Sequence, residues 1–102
     1  MGHLHIDVPQ GQVADFCRKY RIRTLAVFGS VLREDFRPDS DIDVLVEFEP
    51  HARHSLFDLA RMESELATLF HRKVDLVETS ALKNPFRRYE ILRTQQIVYD
   101  AA

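Results

Sequence analysis

A chain of 102 residues, 45% apolar and 29% charged, has the size and composition of one folded domain spanning residues 1–102, which excludes a multidomain enzyme and a disordered or fibrous chain. Fourteen Lys and Arg against sixteen Asp and Glu leave a formal charge of -2, without the basic excess that drives non-specific nucleic-acid binding, so no direct nucleic-acid partner is expected. The one cysteine, Cys17, cannot form an internal disulfide, no apolar run approaches the roughly 20 residues that span a bilayer, and no signal-peptide pattern opens the chain; a cytoplasmic location without a membrane partner is expected.

Along the chain, Val13, Phe16, Cys17 and Tyr20 recur at i, i+3, i+4 and i+7, which predicts a first helix over residues 10–22 with one apolar face. Arg18, Lys19, Arg21 and Arg23 gather at its C-terminal end, where positive charge complements the helix dipole. Thr24 to Phe28 is a short apolar run closing on Gly29, read as a buried strand. The polar stretch 33–40, ending Pro38-Asp39-Ser40, has the composition of a turn. From Asp41 to Phe48 the residues alternate, with Ile42, Val44, Val46 and Phe48 on one strand face and Asp41, Asp43, Leu45 and Glu47 on the other. Ser55 with Asp58 three residues on is a capping box opening a second helix, on which Leu56, Leu59, Met62, Leu66 and Leu69 keep helical spacing to Phe70. Val74 to Val77 is a third strand with Asp75 facing away from Val74 and Leu76, and Asn84-Pro85 is a cap and first-turn proline for a last helix, followed by a short strand from Ile97 to Tyr99. The predicted class is α/β (α+β), a small mixed sheet flanked by helices.

The chemistry gathers in the middle. Gly29-Ser30 at a strand end combines close backbone approach with a hydroxyl, a cradle for phosphate oxygens. Asp41 and Asp43, two apart on a strand, leave one face with Cα atoms about 6 to 7 Å apart, and Asp75 joins them if the third strand pairs with the second. Three such carboxylates repel one another, and hard divalent cations such as Mg2+ relieve that repulsion through oxygen ligation. Two ions about 3.5 to 4 Å apart clamp the attacking and leaving oxygens of a phosphoryl transfer. Leu45, on the same face as the acids, implies that this face is partly covered. His51 and His54 beside Pro50 read as loop residues, and Cys17 on the apolar helix face as a buried structural thiol.

Gly29-Ser30-Val31-Leu32-Arg33, then Ser40-Asp41-Ile42-Asp43-Val44-Leu45-Val46, then Val74-Asp75-Leu76-Val77 resemble the minimal nucleotidyltransferases of the polymerase beta superfamily, in which a Gly-Ser pair, a paired-Asp strand and a third Asp on a neighbouring strand recur. The family often has Ala and Gly where this chain has Leu32 and Glu34. The resemblance implies the nucleotidyltransferase fold, with Asp41 and Asp43 binding two Mg2+ ions and Asp75 holding the catalytic one and helping to deprotonate the acceptor. It also implies that Gly29 and Ser30 hold the triphosphate, that Arg33 neutralises part of its charge, and that ATP is the donor. Few residues follow Asp75, so the acceptor is expected to be small or to bring its own binding surface. Such short proteins are similar to antitoxins of the family that transfer AMP to a tyrosine of a HEPN ribonuclease toxin, which makes a HEPN-type toxin the expected partner in a hetero-oligomer; if the partner surface is built from the last helix, it lies around Phe86, Tyr89 and Ile91. The other readings are a non-catalytic antitoxin that masks the toxin by contact and a free-standing transferase for a small hydroxyl compound.

Overall fold

A computed structural model of the chain describes residues 8–29 and 41–101. The elements are α1 (Gln10–Lys19), β1 (Ile22–Phe28), β2 (Ile42–Phe48), α2 (Leu56–Phe70), β3 (Val74–Glu78), a 3-10 turn at Thr79–Ala81, α3 (Pro85–Thr94) and β4 (Gln96–Asp100). One four-stranded sheet runs β3-β2-β1-β4. β2 lies antiparallel to β1 and parallel to β3, and β1 antiparallel to β4, so the sheet is mixed as expected. The parallel step needs a long crossover, which α2 supplies.

Local signals set the element ends. Ser55 and Asp58 form the capping box, each side chain bonding the other's backbone N–H at 3.1 and 2.9 Å. Asn84 Oδ1 accepts from the N–H groups of Phe86 and Arg87 at 2.9 and 3.2 Å, capping α3 with Pro85 in its first turn. The first helix is shorter than its apolar spacing suggests: it stops at Lys19, Arg21 turns the chain with φ 56°, and β1 already begins at Ile22.

Alternation along the strands produces two unequal cores. On one face Leu25 and Val27 of β1, Ile42, Val44 and Val46 of β2 and Val74 of β3 meet Val13, Phe16 and Cys17 of α1 and Met62, Leu66 and Phe70 of α2. On the other face Ala26, Phe28 and Leu45 are covered by Leu82 and by Ile91 of α3, with Val77 alongside. The second core explains the burial of Leu45. Burial also corrects two expectations. Ile91, expected on a partner surface, is buried at 6% exposure, and Leu56, expected on the apolar face of α2, is 83% exposed because the first turn of that helix overhangs its packing surface.

Candidate active site

The ends of three strands converge where β1 finishes and β2 and β3 begin. Phe28, the last residue of β1, is the register partner of Asp43, and Asp43 is in turn the partner of Asp75 on β3. Directly opposite residues of neighbouring strands lie about 4.8 Å apart and share a face, so Asp43 and Asp75 emerge side by side on the α3 face. Two residues further along the same strands, Leu45 and Val77 are again partners, and there the face is closed over by Leu82 and Ile91. The two carboxylates thus occupy one end of a face whose middle is a small core. Asp41 directly precedes β2 with the parity of Asp43 and is exposed.

Gly29 has φ 76°, a left-handed conformation that L side chains rarely adopt. A β-carbon there would overlap Oδ2 of Asp43. Glycine is therefore favoured twice over, by its backbone angle and by the close approach of the Asp43 carboxylate. Ser30 and Arg33, expected at the triphosphate, lie outside the described residues, as does the turn at Pro38.

Among the described residues no three His, Cys, Asp or Glu side chains are already gathered tightly enough to hold an ion. The donor chemistry at the strand ends nevertheless fits a hard divalent cation, because the groups in register are carboxylates without nitrogen or sulfur ligands. Two hollows among the described residues lie elsewhere. One of about 420 Å³ opens between α1 and α2, lined by residues such as Phe16, Lys19, Glu65 and Leu69, and one of about 360 Å³ lies at the opposite end of the sheet, beside Glu49, Glu78 and Arg88.

Cys17 and His54 serve packing. Burial pushes the Cys17 thiol up to about 12, so it stays a neutral core group, as expected. His54 sits against Phe48 with ring centroids 4.5 Å apart, and its Nε2 lies 2.8 Å from the carbonyl oxygen of Tyr20. This contact ties the β2–α2 loop to α1. Spacing alone gave no sign of it, since the partner is a backbone carbonyl 34 residues away.

This topology and these residues can be compared with known proteins. Residues 11–98 match the family described as "Nucleotidyltransferase domain". The chain belongs to the nucleotidyltransferase domain family. Among relatives, Protein adenylyltransferase MntA of Thermococcus cleftensis is 37% identical over 81 residues, covering 79% of this chain and 77% of that one. MJ1217 of Methanocaldococcus jannaschii, which carries the provisional name protein adenylyltransferase, is 38% identical over 74 residues, 72% of each chain. Among solved structures, one provisionally named a minimal nucleotidyltransferase superposes with a TM-score of 0.69 at 36% identity, covering 85% of this chain and 86% of that one. The fold also matches, with a TM-score of 0.71 at 16% identity over 91% of this chain and 74% of that one, a toxin-antitoxin complex crystallised with AMP-PNP. The family membership and the mixed sheet bear out the expected fold and the expected class of enzyme. No helix among the described residues is long and apolar enough to cross a membrane.

Proposed function

We propose that this nucleotidyltransferase moves AMP from ATP to a hydroxyl of a protein acceptor, and that the acceptor is a HEPN-type toxin which the transfer silences. The observation that carries the reading is the register of Asp43 against Asp75 at the uncovered strand ends, with Gly29 held against the Asp43 carboxylate. The names of the relatives support adenylyl transfer to protein, and fold neighbours that are complexes of an MNT antitoxin with a HEPN toxin support the partner.

In this reading Asp41, Asp43 and Asp75 hold Mg2+, two ions in the full site, and Gly29 with Ser30 and Arg33 receives the triphosphate. Bound Mg2+ would offset phosphate charge and steady the leaving oxygen. The chain's own groups do the rest. Gly29 lets the backbone approach the phosphates without a side chain in the way. Asp75 takes the proton of the acceptor hydroxyl as that oxygen bonds to the α-phosphorus, while the bond from the α-phosphorus to the bridging oxygen breaks and pyrophosphate departs. Leu45, Val77 and Ile91 close the floor behind the acids and exclude water from one side.

Intact-mass spectrometry tests this directly. Incubated with ATP, Mg2+ and the HEPN-type partner, the chain should raise the partner's mass by whole AMP residues and leave its own unchanged, with no change after EDTA. An unmodified partner that is nevertheless silenced would replace transfer with masking by contact.

A further inference from the structure

The two largest exposed apolar pairs among the described residues differ in where they sit. Leu56 and Phe57, 83% and 84% exposed, lie on the first turn of α2. That helix packs on the face opposite the acids, and its N-terminus follows the end of β2 remote from Asp43. Phe86 and Tyr89, 84% and 67% exposed, lie three apart on α3. α3 covers the acid-bearing face through Ile91, and its C-terminal end leads into Gln96, the register partner of Val27 next to Phe28. The stripe Phe86, Tyr89, Arg93 therefore runs toward the strand ends that carry Gly29, Asp43 and Asp75. Ile97, half exposed and in register with Ala26, extends the same apolar side along the free edge of β4.

Charge separates this surface from the rest. Against a whole-chain charge of -2, residues 83–94 carry Lys83, Arg87, Arg88 and Arg93 with only Glu90 opposing them. Arg93 is pinned to Glu90 by paired bonds of 2.8 and 2.9 Å and lies over the Tyr89 ring, and Arg88 donates to the Thr79 carbonyl oxygen at 3.3 Å. Two of the four cations are thus committed within the chain. What projects is a narrow aromatic stripe with a modest positive rim, which suits a protein surface that is apolar at its centre and acidic at its edge more than the multiple phosphates of a nucleic acid.

We infer that the outer face of α3, centred on Phe86 and Tyr89, is where the protein acceptor docks, through an apolar patch with an acidic rim. The inference rests on the proposed transfer to protein and adds where the acceptor sits. Seated there, the acceptor overhangs the carboxylates, and its hydroxyl reaches them from the α3 side.

The test uses the full chain with the HEPN-type partner as probe. Phe86→Glu with Tyr89→Glu should raise the Kd for the partner at least about tenfold, as expected for aromatic anchors, with ATP binding and melting temperature unchanged. Leu56→Glu with Phe57→Glu should leave the Kd as in the parent, and Arg87→Glu should weaken binding more at low salt than at high salt. If the glutamate pair lowers the melting temperature, Phe86→Ser with Tyr89→Ser gives the same readout without added charge. Parent-like affinity in the α3 variants, or loss of affinity in the α2 variant instead, overturns the docking surface. So does binding of a short single-stranded RNA that the α3 variants lose while partner binding persists. A partner that binds the parent tightly but gains no mass overturns the transfer reading alone, and a parent that binds no partner overturns both.

Discussion

The two faces of the sheet are made from alternate residues of the same strands and have been put to different uses. The face under α1 and α2 is filled from end to end: Ile42, Val44 and Val46 are all fully buried. The face under α3 is filled only at its middle, where Leu45 meets Ile91, and carries Asp43 and Asp75 at one end and the exposed Glu47 at the other. Asp43 is half-buried between Ile42 and Val44 in sequence, yet packs on neither side chain's face. Core packing and acid are thus separated by one residue's step along a strand, because successive side chains point to opposite sides. A carboxylate at the strand end costs little, since water reaches it there; the same carboxylate one residue on would be an unpaired charge in the main core.

The largest effect that can break this comparison is on the apolar side. Ile42→Ala removes a fully buried side chain from the main core and should cost about 2–5 kcal/mol, measured as a drop in the urea midpoint at constant slope. Transfer per folded molecule should fall by much less than the loss expected at Asp43, because the Ile42 side chain points away from the acid-bearing face. A much smaller stability loss would mean that the core collapses around the gap.

Asp43→Asn makes the complementary change next door. It keeps the size of the side chain and removes one negative charge from the proposed metal site, and several kcal/mol of transition-state stabilisation can depend on a catalytic metal, so transfer should fall at least about a hundredfold. The melting temperature should move by less than about 8 °C, the equivalent of about 1 kcal/mol in a domain of this size. Partner binding should persist. If the variant transfers AMP like the parent, the carboxylates at the strand ends are not the catalytic set.

Much of this division was legible in the sequence. The period-two alternation of 41–48 by itself separates acid from core, and the capping box at Ser55 and the Asn84-Pro85 cap mark two helix starts at the residue. The pairing of Asp43 with Asp75 was legible only as a condition, because sequence shows two strands and an intervening helix but not that the strands are neighbours in register. Ile91 was misplaced for a different reason: α3 has too few apolar positions for its spacing to mark an inner face, and the small core it completes is assembled from β1, β2 and the Leu82 segment. Leu56 failed the opposite way, since helical spacing continues past the point where the packing surface ends. The left-handed Gly29 and its approach to Asp43 are conformations rather than patterns, so the sequence offered the glycine but not why one is favoured there.

The smallest effect sharpens the comparison from within the apolar side, where charge is used only to clamp helices. The Lys19 ammonium and the Tyr20 hydroxyl of the α1 end both donate to the Glu65 carboxylate on α2. Burial works against that carboxylate, but the two donated bonds outweigh it and hold its pKa below the ordinary 4.5, while the hydrogen bond from Lys19 to Glu65 lifts the Lys19 pKa above 10.5. A carboxylate with a lowered folded-state pKa contributes stability that is present above its unfolded value and is lost as pH falls through the folded one. A lysine with a raised pKa contributes stability present below its unfolded value and lost as pH rises through the folded one. Glu65→Gln should therefore flatten the stability profile below pH about 4.5 and at the alkaline edge. At pH 7 its cost should be small, since the pair is largely solvated. AMP transfer at neutral pH should not change, because the clamp lies across the sheet from Asp43 and Asp75. An acid limb identical to the parent's would show that the clamp adds nothing. A fall in transfer with stability intact would show that the two faces are coupled.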